Sequence, residues 1–379
     1  MANMVDYLAW RGDIPFDVSP WCPVDALLAA TLSYLNFYGV ESPEGWTLAE
    51  TKRIGLLKPG NSGAFEGRKA MYEAMADSAR FRDSRIHHFI ALSDEREAMQ
   101  FSAMCIDLPD GTLCVAFRGT DNTLVGWRED FNMMYLAAIP GQVAARYYLE
   151  RAAELDGRPI RVVGHSKGGN LAVYAAACVP PEVQDRIENV YTFDGPGMSP
   201  EVFDSEGYRR IRPKLRSFVP QTSIIGMLME YCRDYTVVRS DATGINQHEP
   251  LSWQVYGPRF EEREEIDRNA QTIRETLQEW LENSTPDQRE AFVDTLFQMV
   301  DNTKATTLSE ILNEKLRTVV TMLGSSREVE PETRKIFTRL TAQFVTLGVG
   351  NVLDRVKNRL PGVGDDEDGD DKNGVDNPS

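Results

Sequence analysis

Ser166 stands in the stretch Gly164-His165-Ser166-Lys167-Gly168, behind the β-branched run at 160–163 and ahead of apolar residues at helical spacing. A serine hydroxyl is a weak nucleophile until a base takes its proton, and that base must itself be oriented and charge-balanced by a third group. The G-x-S-x-G spacing suits such a nucleophile: its backbone is strained and the flanking chain passes close by, so a Cβ on either side would obstruct it. The pattern predicts strand, sharp turn and helix, with Ser166 at the turn. A chance match is the alternative, and the rest of the chain decides between them by whether it supplies the partners.

Four histidines are available as the base. His165 adjoins the serine within the turn and is expected to point elsewhere. His87 and His88 precede a hairpin; as neighbours on a strand they are expected to face opposite sides. His248, in G-I-N-Q-H-E-P, follows the last strong strand pattern and fits the order serine, acid, histidine of a hydrolase sheet. For the acid, Asp194 in V-Y-T-F-D-G-P-G closes the strand after the nucleophile helix, and neighbouring strands lie about 4.8 Å apart, a gap an imidazole bridges. Asp234, Asp241 and Glu249 are rivals, and D-G-P-G also reads as plain turn chemistry. Acyl transfer needs donors aimed at an oxyanion. The backbone N–H of Lys167 is one candidate, and Thr120, in the loop ending V-A-F-R-G-T-D, is the other.

The elements that must carry these residues follow from periodicity. Helices are expected over 23–38, behind a proline suited to a first turn, and over 64–80. A strand is expected at R-I-H-H-F-I-A-L, then Q-F-S-A-M-C-I-D-L and T-L-C-V-A-F-R-G-T around a P-D-G hairpin turn. From there helices (124–136, 142–155, the one after Ser166) alternate with strands at 160–163, 190–193, 215–219 and 235–240. This predicts an α/β fold: a mainly parallel sheet with helices on both faces, preceded by antiparallel strands, with ligands at the carboxyl ends of the strands. Beyond Phe260 no strand pattern remains. Helices are expected from about Pro286, over 308–323 and over 332–347. The tail from Pro361 holds seven acidic residues against one lysine and is expected to be disordered. The expected division is 1–259 for the α/β domain, with 1–84 its helical N-terminal part, 260–358 for a helical region, and 359–379 for the acidic tail.

The net charge of −17 argues against a nucleic-acid partner or adhesion to an anionic membrane surface. With no secretory leader pattern at the amino terminus and no long apolar run, a cytoplasmic location without a membrane span is expected. The five cysteines are scattered, odd in number and without a C-x-x-C pair, which predicts free thiols. No histidine shows ligand spacing with cysteine or carboxylate, so neither metal nor organic cofactor is expected.

Together, F-R-G-T (117–120), Trp127 with Asp130, G-H-S-K-G-G (164–169) and Y-T-F-D-G-P-G (191–197) resemble the class-three lipase group of α/β-hydrolases in order and spacing. The stretches F-V-P-Q-T-S-I-I-G-M-L (218–228) and Q-H-E-P-L-S-W-Q-V (247–255) resemble a bacterial branch of that group. The resemblance spans about 85–255. It implies an α/β-hydrolase fold, Ser166 as nucleophile, Thr120 and the Lys167 amide as oxyanion donors, His248 as base, and Arg118 with Asp130 as a supporting ion pair. Two departures stand out. Those lipases place their acid after the next strand, in an N-D turn, where this chain has Q-T-S with Ser223; that favours Asp194. Lys167 replaces a common leucine, as a cation favouring an anionic substrate or, more simply, one reaching solvent. Trp127, Phe131, Met133, Met134 and Tyr135, with Met227, Leu228 and Met229, suit either an apolar lid or buried helix faces.

The expected activity is hydrolysis of a small-molecule or lipid acyl ester through a Ser166-His248-Asp194 triad. The alternatives are a catalytically silent scaffold that binds a protein partner, or a thioesterase or peptidase using the same triad. Oligomeric state is not legible.

Overall fold

The computed structural model describes residues 2–60, 63–121, 123–223, 226, 229, 234–304, 322, 331 and 333–335. Its strands are β1 (Trp46–Thr47), β2 (Arg85–Asp94), β3 (Met99–Asp107), β4 (Leu113–Phe117), β5 (Ile160–His165), β6 (Ile187–Phe193), β7 (Leu215–Pro220), β8 (Tyr235–Val238), β9 (Val255–Tyr256), β10 (Arg259–Phe260) and β11 (Glu262–Arg263). Its helices are α1 (Met4–Arg11), α2 (Pro23–Leu32), α3 (Leu48–Ile54), α4 (Phe65–Asp77), α5 (Leu124–Asn132), α6 (Pro140–Leu155), α7 (Lys167–Cys178), α8 (Pro181–Arg186), α9 (Pro200–Phe203), α10 (Glu206–Ile211), α11 (Arg268–Asn283) and α12 (Pro286–Asn302).

One sheet runs in the order β1-β2-β3-β4-β5-β6-β7-β8-β11. From β1 to β4 neighbours are antiparallel, from β4 to β8 parallel, and β11 closes the far edge antiparallel to β8. The parallel strands are apolar on both sides because both sides are covered. On β4, Cys114 and Ala116 face a core shared with α1, α2 and α4, whereas Leu113, Val115 and Phe117 face a core shared with α6, α7 and α10. Local chemistry sets the ends of several elements. Gly111, at φ 82, turns the β3–β4 hairpin. Prolines occupy the first turns of α2, α6 and α12, and the Thr285/Gln288 capping box opens α12.

Three expectations needed correction. The helix expected over 23–38 ends at Leu32, and Leu35 and Phe37 beyond it are buried in irregular chain, with Phe37 bridging Leu57. Strand structure continues past Phe260: β11 has only two residues, both charged, so it carries no apolar alternation, and it blunts the sheet edge. His87 and His88 do not face opposite sides. A bulge between His87 and Ile90, with His88 at φ 50, brings their rings to 4.7 Å on one side. The helices expected over 308–323 and 332–347 and the acidic tail lie outside the described residues, apart from the few named above.

The N-terminal helices are tied together by a buried ion pair. Arg80 donates from Nε and Nη2 to both oxygens of Asp25, at 2.8 and 2.6 Å, and Tyr7 donates to Asp25 Oδ1 at 2.8 Å. Arg80 Nη1 also holds the carbonyls of Ile14 and Ser19, so the charges leave few hydrogen-bonding positions unmet. Removing one partner strands the other charge at almost zero exposure. Asp25→Ala is therefore expected to cost about 3–5 kcal/mol in denaturant unfolding, and the Asp25→Ala/Arg80→Met double variant less than the sum of its parts.

Candidate active site

The chain leaves β5 at His165 and enters α7 at Lys167, so Ser166 must turn it alone, at φ 58 and ψ −134. Such a conformation costs a non-glycine residue on the order of 1–3 kcal/mol. It is held by Ser166 N donating to Phe193 O at 2.9 Å and by its carbonyl accepting from Gly169 N at 2.8 Å. The flanking glycines are a steric requirement. A Cβ on Gly164 would stand 2.0 Å from the Gly168 carbonyl oxygen, and one on Gly168 would stand 2.2 Å from that of Phe117. The turn places the Lys167 amide at the start of α7, where helix N–H groups have no intrahelical acceptor.

On the neighbouring strand, Asp194 directly follows the end of β6, also at positive φ (49°). Its Oδ2 lies 2.6 Å from His248 Nδ1, and its Oδ1 accepts from Ser223 Oγ at 2.5 Å and from Gly226 N at 3.1 Å. The carboxylate is 1% exposed and fully engaged. Among the rival acids, Glu249 pairs with Arg68 at 2.8 Å and Asp234 reaches Arg212 at 3.5 Å. Ser223, which replaces the acid in the turn after β7, thus becomes a donor to Asp194. With Nδ1 on Asp194, the remaining ring nitrogen of His248, Nε2, is left for a nucleophile. Among the described residues no hydrogen bond yet joins Ser166 Oγ to that ring, as is common before substrate binds.

Two supports went unseen in the sequence. His165 lies against His248, ring centroids 4.6 Å apart, and its Nε2 is 2.8 Å from the His248 carbonyl oxygen. Its Nδ1 is 2.8 Å from Tyr34 Oη. A proton on Nε2 and a lone pair on Nδ1 satisfy both contacts, so the neutral ring clamps the His248 loop to β5. Burial, with His248 adding to it, pushes the His165 pKa well below the usual range. The Arg68 guanidinium lies 4.2 Å over the Tyr34 ring while it pairs with Glu249, so the chain just past α2, α4 and the His248 loop meet there. Tyr34 is separated from every motif by more than 80 residues, and only folding reveals its role.

The loop after β4 lies against Ser166, since a Cβ on Gly119 would come within 3.0 Å of Ser166 Cβ. Thr120 follows it. Its hydroxyl donates to Asp130 Oδ2 at 2.6 Å, which commits the side-chain proton and leaves the backbone amide as its donor. Arg118 and Asp130 do not form the expected pair: Arg118 donates to Asn36 Oδ1 at 3.0 Å, and Asp130 serves Thr120. Burial raises Asp130 from 3.8 to about 6. Lys167 points neither at substrate nor at solvent. It is buried, and its Nζ donates to Glu129 Oε2 (2.7 Å) and to Gln100 O and Oε1 (2.8 Å each). Glu129 also accepts from Gln100 N and Gly141 N, at 2.9 and 2.7 Å. The cation is a brace fixing α7 to β3 and α5.

The apolar side chains of α5 and the residues after it are not an open lid. Trp127, Phe131, Met134 and Tyr135 pack with Trp280, Phe292, Val293 and Phe297 of α11 and α12, and Met133 is itself buried. Phe131 meets Phe297 edge-on at 5.8 Å. Of the second group, Met227 and Leu228 lie outside the described residues.

A mixed sheet covered on both faces, with a serine at a positive-φ elbow between a central parallel strand and its helix, defines an α/β-hydrolase fold. The chain belongs to the Mbeg1-like family, which matches residues 75–298. Comparison with curated proteins gave no match. Among solved structures it is similar to M37 lipase, at 14% identity over 54% of this chain and 68% of that one, TM-score 0.34. It is also similar to Rhizomucor miehei lipase in its propeptide complex, at 13% identity over 62% and 80%, TM-score 0.34. Among the described residues no helix is long and apolar enough to cross a membrane.

The raised Asp130 carboxyl sets a pH signature. Below about 3.8 it is protonated whether folded or not. As pH rises to about 6 the unfolded chain ionises first, so folding stability falls across that window and then levels. Asp130→Asn removes the effect. Denaturant unfolding between pH 4 and 7 is expected to show the variant gaining on the parent as pH rises, with no further change above pH ~6; parallel curves would refute the assignment.

Proposed function

We propose that the protein is a serine hydrolase that cleaves an acyl ester by way of an acyl-enzyme. The observation that carries this reading is the 2.6 Å contact of His248 Nδ1 with Asp194 Oδ2, beside a serine held in the elbow conformation on the adjoining strand end. In the proposed reaction His248 Nε2 takes the Ser166 proton as Oγ bonds to the substrate carbonyl carbon. The tetrahedral oxyanion is met by the Lys167 and Thr120 amides. The imidazolium then gives its proton to the leaving alkoxide as the C–O bond breaks. Water, deprotonated by the same nitrogen, releases the acid and restores Ser166.

Asp194 stabilises the imidazolium and fixes its tautomer without being protonated itself. The missing acid after β7, which favoured a silent scaffold, has its place taken by a hydroxyl that supports Asp194. An ester is preferred to a thioester or peptide on the resemblance of the motifs to class-three lipases alone, because triad geometry does not select among acyl donors. Neither a metal nor an organic cofactor has a part in the proposed chemistry.

A fluorophosphonate probe is expected to label Ser166 in the folded protein and to spare Ser166→Ala. With p-nitrophenyl esters, Ser166→Ala is expected to lower kcat by roughly six orders of magnitude and Asp194→Asn by about four. A folded parent that is neither labelled nor faster than its Ser166→Ala variant towards esters, thioesters and peptides would refute catalysis. Turnover of thioesters or peptides but not esters would refute only the ester assignment.

Position 165 gives a separate test. Its ring touches the carbonyl of His248 and not the substrate, so it is a positioning residue. His165→Ala is expected to lower kcat about 10²-fold with little change in KM, whereas His165→Gln, which keeps a side-chain donor, is expected to recover part of the loss. Equal activity in all three forms would remove the role.

A further inference from the structure

We propose that His87, His88 and Cys105 form a binding site for a divalent transition-metal cation, with Zn²⁺ the best match to the donor set. Donor atoms of the three side chains lie within 4.8 Å of one another. His87 and Cys105 are direct cross-strand partners on β2 and β3, so they project from the same face of the sheet. His88 joins them only through the bulge, which turns two consecutive side chains to one side.

That bulge is imposed from several directions. His88 N donates to Ser42 O at 3.3 Å and Phe89 N to Val40 O at 3.0 Å, while Tyr148 on α6 donates to the His88 carbonyl at 2.7 Å. A positive φ at histidine is a local cost kept where the surroundings over-determine it. Here it delivers a third donor to a pair already facing each other.

The surroundings of the donors resemble the supporting shell of a metal site. His87 Nε2 lies 2.9 Å from Asp107 Oδ1, and that carboxylate is held in turn by Arg158. A carboxylate on one ring nitrogen fixes the tautomer and turns the lone pair of the other, Nδ1, towards His88. The Tyr148 hydroxyl, whose proton is held by the His88 carbonyl, also lies 3.5 Å from Cys105 Sγ and would have to turn from that carbonyl to donate to a thiolate. Two imidazoles and one thiolate suit borderline-soft Zn²⁺ and leave a fourth position for water.

The two Nδ1 atoms are now 2.5 Å apart, close enough to share a proton. Two imidazoles on a tetrahedral zinc at 2.0–2.1 Å stand about 3.3 Å apart. The half-buried His88 ring therefore has to swing outward by under about 1 Å. Binding balances as proton loss: the Cys105 thiol proton and any proton shared by the imidazoles pass to solvent, and no redox change is involved.

The cluster is remote from the elbow in register, since Cys105 lies opposite Val115, inside β4, and not at the strand's carboxyl end. The ion would tie the bulged strand β2 to β3, so its role is structural and independent of the serine chemistry.

The test uses tag-free full-length protein stripped with chelator. Calorimetric titration is expected to show one Zn²⁺ bound per chain and a rise in Tm. Co²⁺ is expected to give a thiolate-to-metal charge-transfer band in the near ultraviolet. Cys105→Ser should abolish the band, His88→Ala and Asp107→Asn should each weaken binding about 10–100-fold, and Cys178→Ser should leave it unchanged. The Co²⁺ spectrum of the parent decides even if a variant fails to fold. No saturable binding, a cobalt spectrum without the thiolate band, or undiminished affinity in folded Cys105→Ser would overturn the proposal.

Discussion

The arrangement rests on one residue conformation, the positive φ of Ser166 between β5 and α7. An L-residue does not adopt φ 58 and ψ −134 without compensation. Gly164 and Gly168 let backbone pass where any Cβ would collide, and β6 supplies the acceptor for the Ser166 amide. The brace from Lys167 to Glu129 holds the first residue of α7 from below. Without these supports the turn would relax, and the hydroxyl and the Lys167 amide would lose their shared direction.

A second constraint acts on the far partner. His248 belongs to a short 3-10 turn after β8, an element with little stability of its own. It is fixed at three points: Nδ1 on Asp194, its carbonyl on His165, and the neighbouring Glu249 on Arg68. His165, the residue before Ser166, thus also secures the loop that carries His248, so the elbow and the imidazole shift together or not at all. Tyr34 and Arg68 extend this coupling into the N-terminal helices, which makes residues 1–84 part of the support of the site.

Two buried ion pairs are held by dense hydrogen bonding. Lys167 with Glu129 and Arg80 with Asp25 have nearly every donor and acceptor engaged, as burial of an ion pair demands. Asp130 differs. Its Oδ1 has no hydrogen-bond partner and the nearest cation, Lys167, stands 3.9 Å away, consistent with its raised pKa. Strained backbone marks Ser166 and Asp194 and, away from them, His88 in the β2 bulge, while the central parallel strands follow ordinary apolar patterning.

By itself the sequence determined the features that depend on short range. The strands expected at 160–163, 190–193 and 215–219, the P-D-G hairpin and the helix after Ser166 follow from periodicity and turn chemistry, and the structure has the three strands at 160–165, 187–193 and 215–220. Tertiary structure alone decided the rest. A charged two-residue edge strand has no period to read, and a bulge that turns His88 towards His87 is held by Val40 and Ser42, far back along the chain. Lys167 reads as a surface cation until Glu129 and Gln100 are brought to it. Which carboxylate meets His248 depends on how β6, β7 and the 244–248 turn converge, because a hydrogen bond acts over about 3 Å while its partners here lie 54 residues apart along the chain.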